Sequence, residues 1–301
     1  MVNTAVNLCG LELKNPVVPA SGTFGFAVEM ASVYDLNLLG GISLKGTTLR
    51  PRFGNACPRI AECPDGMINS VGLQNPGVEA LVNEKIPAAR KVFGGILIAN
   101  ISGFSVDEYL SCCQAVAGKA DIIELNISCP NVHGGGMAFG TSASCAAELT
   151  GAARAACGNT PLFVKLSPNV TDISEIARAC EDAGADGLTL INTILGMRID
   201  IEKSRPVVAA GYGGLSGRAV LPVALRMVNQ VAKACKIPIM GCGGVSCARD
   251  VIEMMMAGAS AVQVGSENLR NPMVCAEIVS ELPLLMESLG IQDINEIIGI
   301  I

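Results

Sequence analysis

Eight short apolar runs, each ending in a polar side chain or a glycine, recur along the chain, and helix-like segments separate most of them. Pro16–Pro19 runs into Ala20-Ser21-Gly22, Gly41–Leu44 into Lys45, Ile96–Ala99 into Asn100, and Ile122–Leu125 into Asn126. Leu162–Val164 then ends at Lys165 and Leu188–Ile191 at Asn192. Ile237–Met240 ends in Gly241-Cys242-Gly243-Gly244, and Ala261–Val264 in Gly265-Ser266. Runs that are apolar at every position suit strands covered on both faces, and so a parallel sheet. Capping residues mark helices between them. Thr171 or Asp172 opens Ile173–Ala183, which stops at Gly184, and Ser246 or Cys247 opens Ala248–Ala257, which stops at Gly258. Ala-Gly-Ala-Asp-Gly at 183–187 and Ala-Gly-Ala-Ser-Ala at 257–261 occupy equivalent positions between helix and strand, the echo a repeated unit leaves. Eight such β/α units predict a (β/α)8 TIM barrel. The alternative, a doubly wound open sheet, needs a glycine fingerprint after its first strand, and Ala20-Ser21-Gly22-Thr23 is not one.

Residues 1–301 read as a single domain with no low-complexity linker. Three connections are long: 46–78, 128–145 and 193–221. All follow carboxyl ends of strands, where barrel enzymes build their sites, so they are expected to be loops over a pocket. The chain is 50% hydrophobic, yet it has no clean apolar run of about 18 residues. The amino-terminal stretch MVNTAVNLCGLELKN shows neither a basic n-region nor a long apolar core, so no export signal or membrane association is expected, and the location is cytoplasmic. A net charge of −6 argues against nucleic acid as the main partner. Thirteen cysteines without an export signal are expected to be reduced thiols. None is spaced CxxC, and the nearest approach to a cluster pattern, Cys242-x4-Cys247, has no third cysteine close after it, so no metal site is expected. His133 is the one histidine, which removes two-His metal sites and leaves any His-based acid–base scheme to a single residue in a glycine-rich stretch.

The strand ends carry the chemistry. Ser21, Lys45, Asn100, Asn126, Lys165 and Asn192 on one rim give two lysines, several amides and no carboxylate, a set suited to an electron-rich, anionic ligand. Gly243-Gly244 and Gly265-Ser266, after the seventh and eighth strands, are placed to hold a phosphate on backbone N–H groups. In the stretch ELNISCPNVHGGGMAFG at 124–140, Cys129 follows the fourth strand, flanked by Asn126 and Asn131. A buried, inert thiol is the common fate of a cysteine. A thiol between amides at a strand end instead suits a base or nucleophile beside a small polar substrate. A phosphate site together with a lysine aimed at a conjugated ring suits flavin mononucleotide (FMN), because a cation stabilises the reduced ring. With a flavin to accept hydride, Cys129 reads as a base.

The motifs NISCPNVHGGGMAFG (126–140), LKGTT (44–48), NSVGLQNPG (69–77), VKLSPNVTDI (164–173), GGLSG (213–217) and GCGGV (241–245) together resemble class 1 dihydroorotate dehydrogenases, over about residues 6 to 290. The form Gly-Leu-Gln-Asn-Pro-Gly at 72–77 is similar to the 1B branch. The resemblance implies oxidation of (S)-dihydroorotate to orotate in pyrimidine (UMP) biosynthesis. Cys129 would remove the C5 proton while hydride passes from C6 to FMN. It implies substrate contacts from Lys45, Asn69, Val71, Gly72, Leu73, Asn126, Asn131, Asn192 and Thr193. Flavin contacts would come from Ser21, Lys45, Gly46, Asn100, Asn126, Lys165, Ile191, Ser216, Gly217, Gly243, Gly244, Gly265 and Ser266. It further implies an electron-transfer partner subunit carrying FAD and a [2Fe-2S] cluster, with NAD+ as acceptor, around a homodimer that forms the core of a heterotetramer. Class 2 relatives use a serine base and an amino-terminal membrane-associating extension, and neither matches here. The fumarate-linked 1A branch, a dihydropyrimidine dehydrogenase-like flavin domain and a non-catalytic flavin-binding scaffold are the alternatives. Lys45 with the Asn69–Gly72 loop favours a carboxylated substrate over the second, and Cys129 disfavours the third.

Overall fold

The computed structural model describes residues 2–127 and 139–301. Eight strands form one parallel sheet. They are β1 (Val17–Pro19), β2 (Gly41–Ser43), β3 (Ile96–Ile101), β4 (Ile122–Asn126), β5 (Leu162–Lys165), β6 (Gly187–Leu190), β7 (Ile239–Cys242) and β8 (Ala261–Val264). Hydrogen bonding runs continuously from β2 through β3 to β8 and on to β1. At the remaining seam, the Gly40 N–H donates to the Val17 carbonyl at 3.1 Å and brings β2 beside β1. The result is the expected (β/α)8 barrel, and every residue of β1, β2 and β4–β8 is buried, as the continuous apolar runs require.

Helices α1 (78–92), α2 (Val106–Val116), α3 (Ala143–Ala156), α4 (Ile173–Asp182), α5 (Leu221–Ala234), α6 (Ala248–Met256) and α7 (Val274–Leu289) follow β2 to β8 in turn. Between β1 and β2 the chain makes only two 3₁₀ turns, Met30–Ser32 and Leu36–Leu38. Asp172 caps α4, its side chain accepting from the Ser174 N–H at 2.8 Å, and Cys247 stands at the N-cap of α6. The Asp250 carboxylate reaches back to the N–H groups of Ser246 and Cys247 at 2.7 and 3.2 Å. Gly184 and Gly258, just beyond these helices, adopt φ of +96° and +123°.

A repeat less visible in the sequence lies at the amino ends of the strands. Asp121, just before β4, accepts from the Leu97 N–H of β3 at 2.7 Å and from Arg90 of α1 at 2.5 Å. Asp186, just before β6, does the same with the Leu162 N–H of β5 at 2.8 Å and with Arg154 of α3. Each aspartate thus ties a strand start to its neighbour on the face away from the strand ends, where such contacts serve stability. An amino-terminal hairpin, Val6–Leu8 with Leu11–Leu13, lies on the same face, its Cys9 thiol 3.1 Å from the Asp186 carbonyl. Leu8 and Leu13 are fully buried in the barrel core.

Two connections depart from the loops expected of them. Within 46–78, Ile60–Cys63 and Gly66–Asn69 form an antiparallel hairpin; within 193–221, Ile194–Gly196 and Gly213–Ser216 are strands. The four make one antiparallel sheet in which Gly213–Ser216 pairs directly with Gly66–Asn69. Gly-Gly-Leu-Ser has little strand propensity of its own. Its glycines are required by packing: a Cβ at Gly214 would overlap the Thr193 hydroxyl, and one at Gly213 would stand 2.6 Å from the Asn69 carbonyl oxygen. The third long connection, 128–145, lies mostly outside the described residues; its end contributes the start of α3. Among the described residues no helix is long and apolar enough to cross a membrane.

Gly40 gives the sharpest test of closure. A Cβ there would run into the carbonyl oxygen of Asn15, a backbone atom held in place by Asn15's own side-chain bond to Leu38 O at 2.8 Å. Gly40→Ala is expected to cost about 2–3 kcal/mol of unfolding free energy, the range for overpacking a site that cannot relax. Urea titration of the two proteins checks it.

Candidate active site

The ladder between β2 and β3 places the first functional side chain. The Leu44 N–H donates to Ile98 O and the Thr47 N–H to Asn100 O, both at 2.9 Å. Three residues on one side therefore span two on the other, a one-residue bulge at Lys45-Gly46. The bulge turns Lys45 into a cleft at the carboxyl ends of the strands. Gly46 lies flat against Asn100, where a Cβ would come within 2.6 Å of the amide oxygen.

That cleft encloses about 1120 Å³ of empty space, part of it open to solvent. Its floor comes from barrel strand ends. Ser21 follows β1, Asn126 and Lys165 end β4 and β5, Ile191-Asn192-Thr193 follows β6, and Gly243-Gly244 and Gly265-Ser266 follow β7 and β8. Its wall comes from the antiparallel sheet, through Asn69, Ser216 and Gly217 with Met67 and Leu215, and from the Val71-Gly72-Leu73 turn. Asn69 Nδ2 bonds the Gly214 carbonyl at 3.3 Å, so one amide spans both halves of the wall. The turn is held by two asparagines. Asn55 donates to the Ser70 carbonyl at 2.9 Å. Asn75 donates to Leu73 O at 2.7 Å and Thr48 Oγ1 at 2.8 Å while accepting from the N–H groups of Thr48 and Gly77. With these anchors Gly72 and Leu73 sit at φ of +75° and +58°. On the far side Asn169 clamps the start of 193–196, bonding Thr193 O at 3.1 Å and the Leu195 N–H at 2.8 Å.

Beneath the rim lies a buried polar layer that the strand-end pattern did not disclose. Glu124 of β4 is fully buried. Its Oε1 accepts from Asn100 Nδ2 at 2.6 Å and from Ser43 Oγ at 3.4 Å, and its Oε2 accepts from Gln263 Nε2 at 2.7 Å. The Lys165 ammonium stands 3.8 Å from Glu124 and donates to Gln263 Oε1 at 2.9 Å. Burying a lone ion costs on the order of several kcal/mol, and this pair is tolerable because opposite charge and hydrogen bonds meet both groups. Lys165 therefore faces the cleft as a compensated ammonium. The sequence signal for Glu124 is a carboxylate inside an otherwise apolar strand, two residues before Asn126 and so on the same inward face. Cys242, which also lines the cleft, is a neutral thiol. Burial pushes it up first; Lys165 opposes that shift and Glu124 adds to it.

Of the residues singled out from the sequence, Ser21, Lys45, Asn69, Val71, Gly72, Leu73, Asn126, Lys165, Ile191, Asn192 and Thr193 come together at the cleft. Ser216, Gly217, Gly243, Gly244, Gly265 and Ser266 join them. Asn100 and Gly46 lie behind this lining, Asn100 fully buried. Cys129 and Asn131 lie outside the described residues, as does His133. Sequence reasoning missed Glu124 and Gln263 beneath the cleft, and Asn55, Asn75 and Asn169 around it.

The donor set and the space fit an anionic cofactor. A Cβ built on Gly22 or Gly265 meets nothing within 4 Å, so at both positions the cleft reaches the backbone itself. At Gly243 and Gly244, φ of +128° and +81° leave no room for side chains, which would meet Ala224 Cβ at the first and the backbone of Leu221 at the second. Backbone is thus presented bare at consecutive strand ends, as a phosphate requires. Among the described residues no group of three or more His, Cys, Asp or Glu side chains could hold a metal ion.

A family model described as dihydroorotate dehydrogenase matches residues 3–286. The chain is 52% identical over 301 residues to the "Dihydroorotate dehydrogenase B (NAD(+)), catalytic subunit" of Geobacillus kaustophilus, covering 99% of this chain and 96% of that protein. Proteins of the same description from Bacillus caldolyticus, at 52% with the same coverage, and Cutibacterium acnes, at 50% over 300 residues with 99% and 97% covered, are comparably similar.

Asn75 should matter to the site without lining it. Replacing it by alanine removes its four hydrogen bonds to Thr48, Leu73 and Gly77. Asn75→Ala is expected to cost about 2–4 kcal/mol, since buried partners lose their bonds. Unfolding titrations measure the loss, and limited proteolysis within 50–77 should become faster.

Proposed function

The chain belongs to the dihydroorotate dehydrogenase family, and we propose that it is the catalytic subunit of an NAD+-linked member that oxidises (S)-dihydroorotate to orotate in pyrimidine biosynthesis. The observation that carries this reading is the convergence of Lys45, Asn69, Asn126 and Asn192 on one cleft, beside Lys165 and the bare backbone of Gly243-Gly244 and Gly265. The cofactor we assign to that cleft is FMN, which when bound supplies the acceptor for the hydride leaving C6.

Each residue then has a task that follows from its chemistry. Lys45, delivered by the bulge, pairs with the substrate carboxylate as a point charge. Asn69, Asn126, Asn192 and Asn131 bond the pyrimidine amides, and the Val71–Leu73 turn with Thr193 closes the same pocket. Lys165 would hold the flavin ring beside its ammonium, a cation that would stabilise the negative charge the ring gains on reduction. Gly243, Gly244, Gly265 and Ser266 hold the phosphate on backbone N–H groups. Ser21, Ile191, Ser216 and Gly217 border the remaining surface of the cofactor. Asn100 and Gly46 act from behind, by fixing Asn126 and the course of the bulge. Cys129 takes the C5 proton. A thiol, with an ordinary pKa of about 8.5, is a far better base at neutral pH than a serine hydroxyl. Electrons leave for NAD+ through a second subunit carrying FAD and a [2Fe-2S] cluster, joined to a homodimer of this chain in a cytoplasmic heterotetramer. The single domain spans residues 1–301.

The deciding experiment is anaerobic addition of dihydroorotate to the purified, FMN-loaded chain. The flavin absorbance should bleach, and neither fumarate nor NAD+ should restore it quickly without the partner subunit. Rapid recovery with fumarate would instead assign the fumarate-linked branch, and an unbleached flavin would remove dihydroorotate as substrate. Cys129→Ser should keep its flavin yet lose roughly 10²- to 10⁴-fold in turnover, the usual contribution of a positioned base. Wild-type turnover in that variant would exclude Cys129 from the proton transfer.

A further inference from the structure

The amides that face the substrate pocket are joined by hydrogen bonds that all run in one direction. Asn100 Nδ2 donates to Glu124 Oε1 at 2.6 Å. Asn126 Nδ2 donates to Asn100 Oδ1 at 3.5 Å, Asn192 Nδ2 to Asn126 Oδ1 at 3.3 Å, and the Thr193 N–H to Asn192 Oδ1 at 2.8 Å. The series passes from β4 to β3, back to β4 and across to the end of β6. A second branch starts from the other carboxylate oxygen, with Gln263 Nε2 donating to Glu124 Oε2 at 2.7 Å and Lys165 Nζ to Gln263 Oε1 at 2.9 Å. Every donor in both branches points toward Glu124.

Carboxamides have two nearly isosteric ends, so a row of them can run either way unless one end of the row is fixed. An ionised carboxylate is a pure acceptor and fixes it. Thr193 supplies a backbone N–H at the far end, a donor that cannot turn round. Between the two, Asn100, Asn126 and Asn192 each have one compatible orientation, and each bond polarises the next.

We infer that Glu124 is a positioning residue that sets which end of the Asn126 and Asn192 amides is turned toward the substrate, and so lets the pocket distinguish donors from acceptors on a pyrimidine ring. Glu124 is fully buried and does not line the cleft. It acts through Asn100 on the substrate side and through Gln263 on the lysine side. The inference rests on the proposed pyrimidine pocket for its consequence, though the direction of the bonds stands apart from that reading.

Glu124→Gln conserves shape and removes the direction. The new NH₂ group must face either Asn100 or Gln263. If it faces Gln263, that amide turns its own NH₂ toward the Lys165 ammonium, which sets a buried donor against a buried charge; facing Asn100 is the less costly choice, and it turns that amide and reverses the row. Orotate titrated calorimetrically into FMN-loaded protein should bind E124Q about tenfold or more weakly, as one mispaired buried contact implies. KM for dihydroorotate should rise by a similar factor in the flavin-loaded fraction, beside a lower melting temperature from the loss of Lys165's buried counter-charge. Wild-type orotate affinity in loaded E124Q would overturn the proposal, and so would a loss seen only as lower stability and flavin content with KM unchanged. Neutron diffraction from wild-type crystals grown in D₂O gives an arm independent of folding and of substrate. Deuterons should appear on the Asn126 nitrogen facing Asn100 and on the Asn100 nitrogen facing Glu124, and the reverse arrangement would overturn the inference. Failure of the wild type to bind orotate would remove the functional reading, with the neutron map still deciding the orientation.

Discussion

A parallel sheet carries unpaired backbone along both of its edges until it closes on itself, and closure here turns on the junction of β1 with β2. The Gly40 N–H reaches Val17 across that seam because nothing larger than hydrogen fits beside the Asn15 carbonyl. Once the ring is closed, all strands point the same way and all their carboxyl ends share one rim. The convergence of Lys45, Asn126, Lys165 and Asn192 follows from that alone. Residues scattered over nearly 150 positions become neighbours because each ends a strand of the same ring.

Closure also creates an interior that has to be filled, and this barrel fills part of it with charge. Ser43, Asn100, Glu124, Lys165 and Gln263 from five strands form a connected layer beneath the rim. An apolar layer of equal volume would be no less stable, since buried ion pairs generally do little better than well-packed hydrocarbon. What the polar layer provides is orientation for the groups above it. The cleft and its support therefore form one bonded unit, in which lining residues depend on partners buried behind them.

Much of this was legible from the residues, and the exceptions share physical causes. Ala261–Val264 appears as expected, and the caps at Asp172 and Cys247 stand where their side chains announce them. Asn100 and Asn126 carry the same signature, a polar residue closing an apolar run, yet one is sealed behind the lining and the other is part of it. Depth along a strand is set by barrel geometry and leaves no local mark. The bulge at Lys45 depends on register with β3, which is a property of two segments together. The antiparallel sheet was invisible because Gly-Gly-Leu-Ser reads as a turn until Thr193 and Asn69 are packed against it. The same holds for the hairpin before β1, whose Cys9-Gly10 turn joins two strands of three residues each. The individual roles of the site residues came from motif resemblance, which spacing and composition could not have supplied.

The wall over the cleft has a consequence for how the molecule assembles. Its central pairing joins residues 66–69 to 213–216, and Asn69 and Gly214 are 145 positions apart in the chain. Contacts between segments so distant in sequence form slowly, because the loop between them must be ordered first. The intervening β3 to β6 lie inside that loop. The segment from β3 to β6 should therefore be ordered before the wall during refolding, so that the ability to retain a ligand emerges in a later phase than helical content.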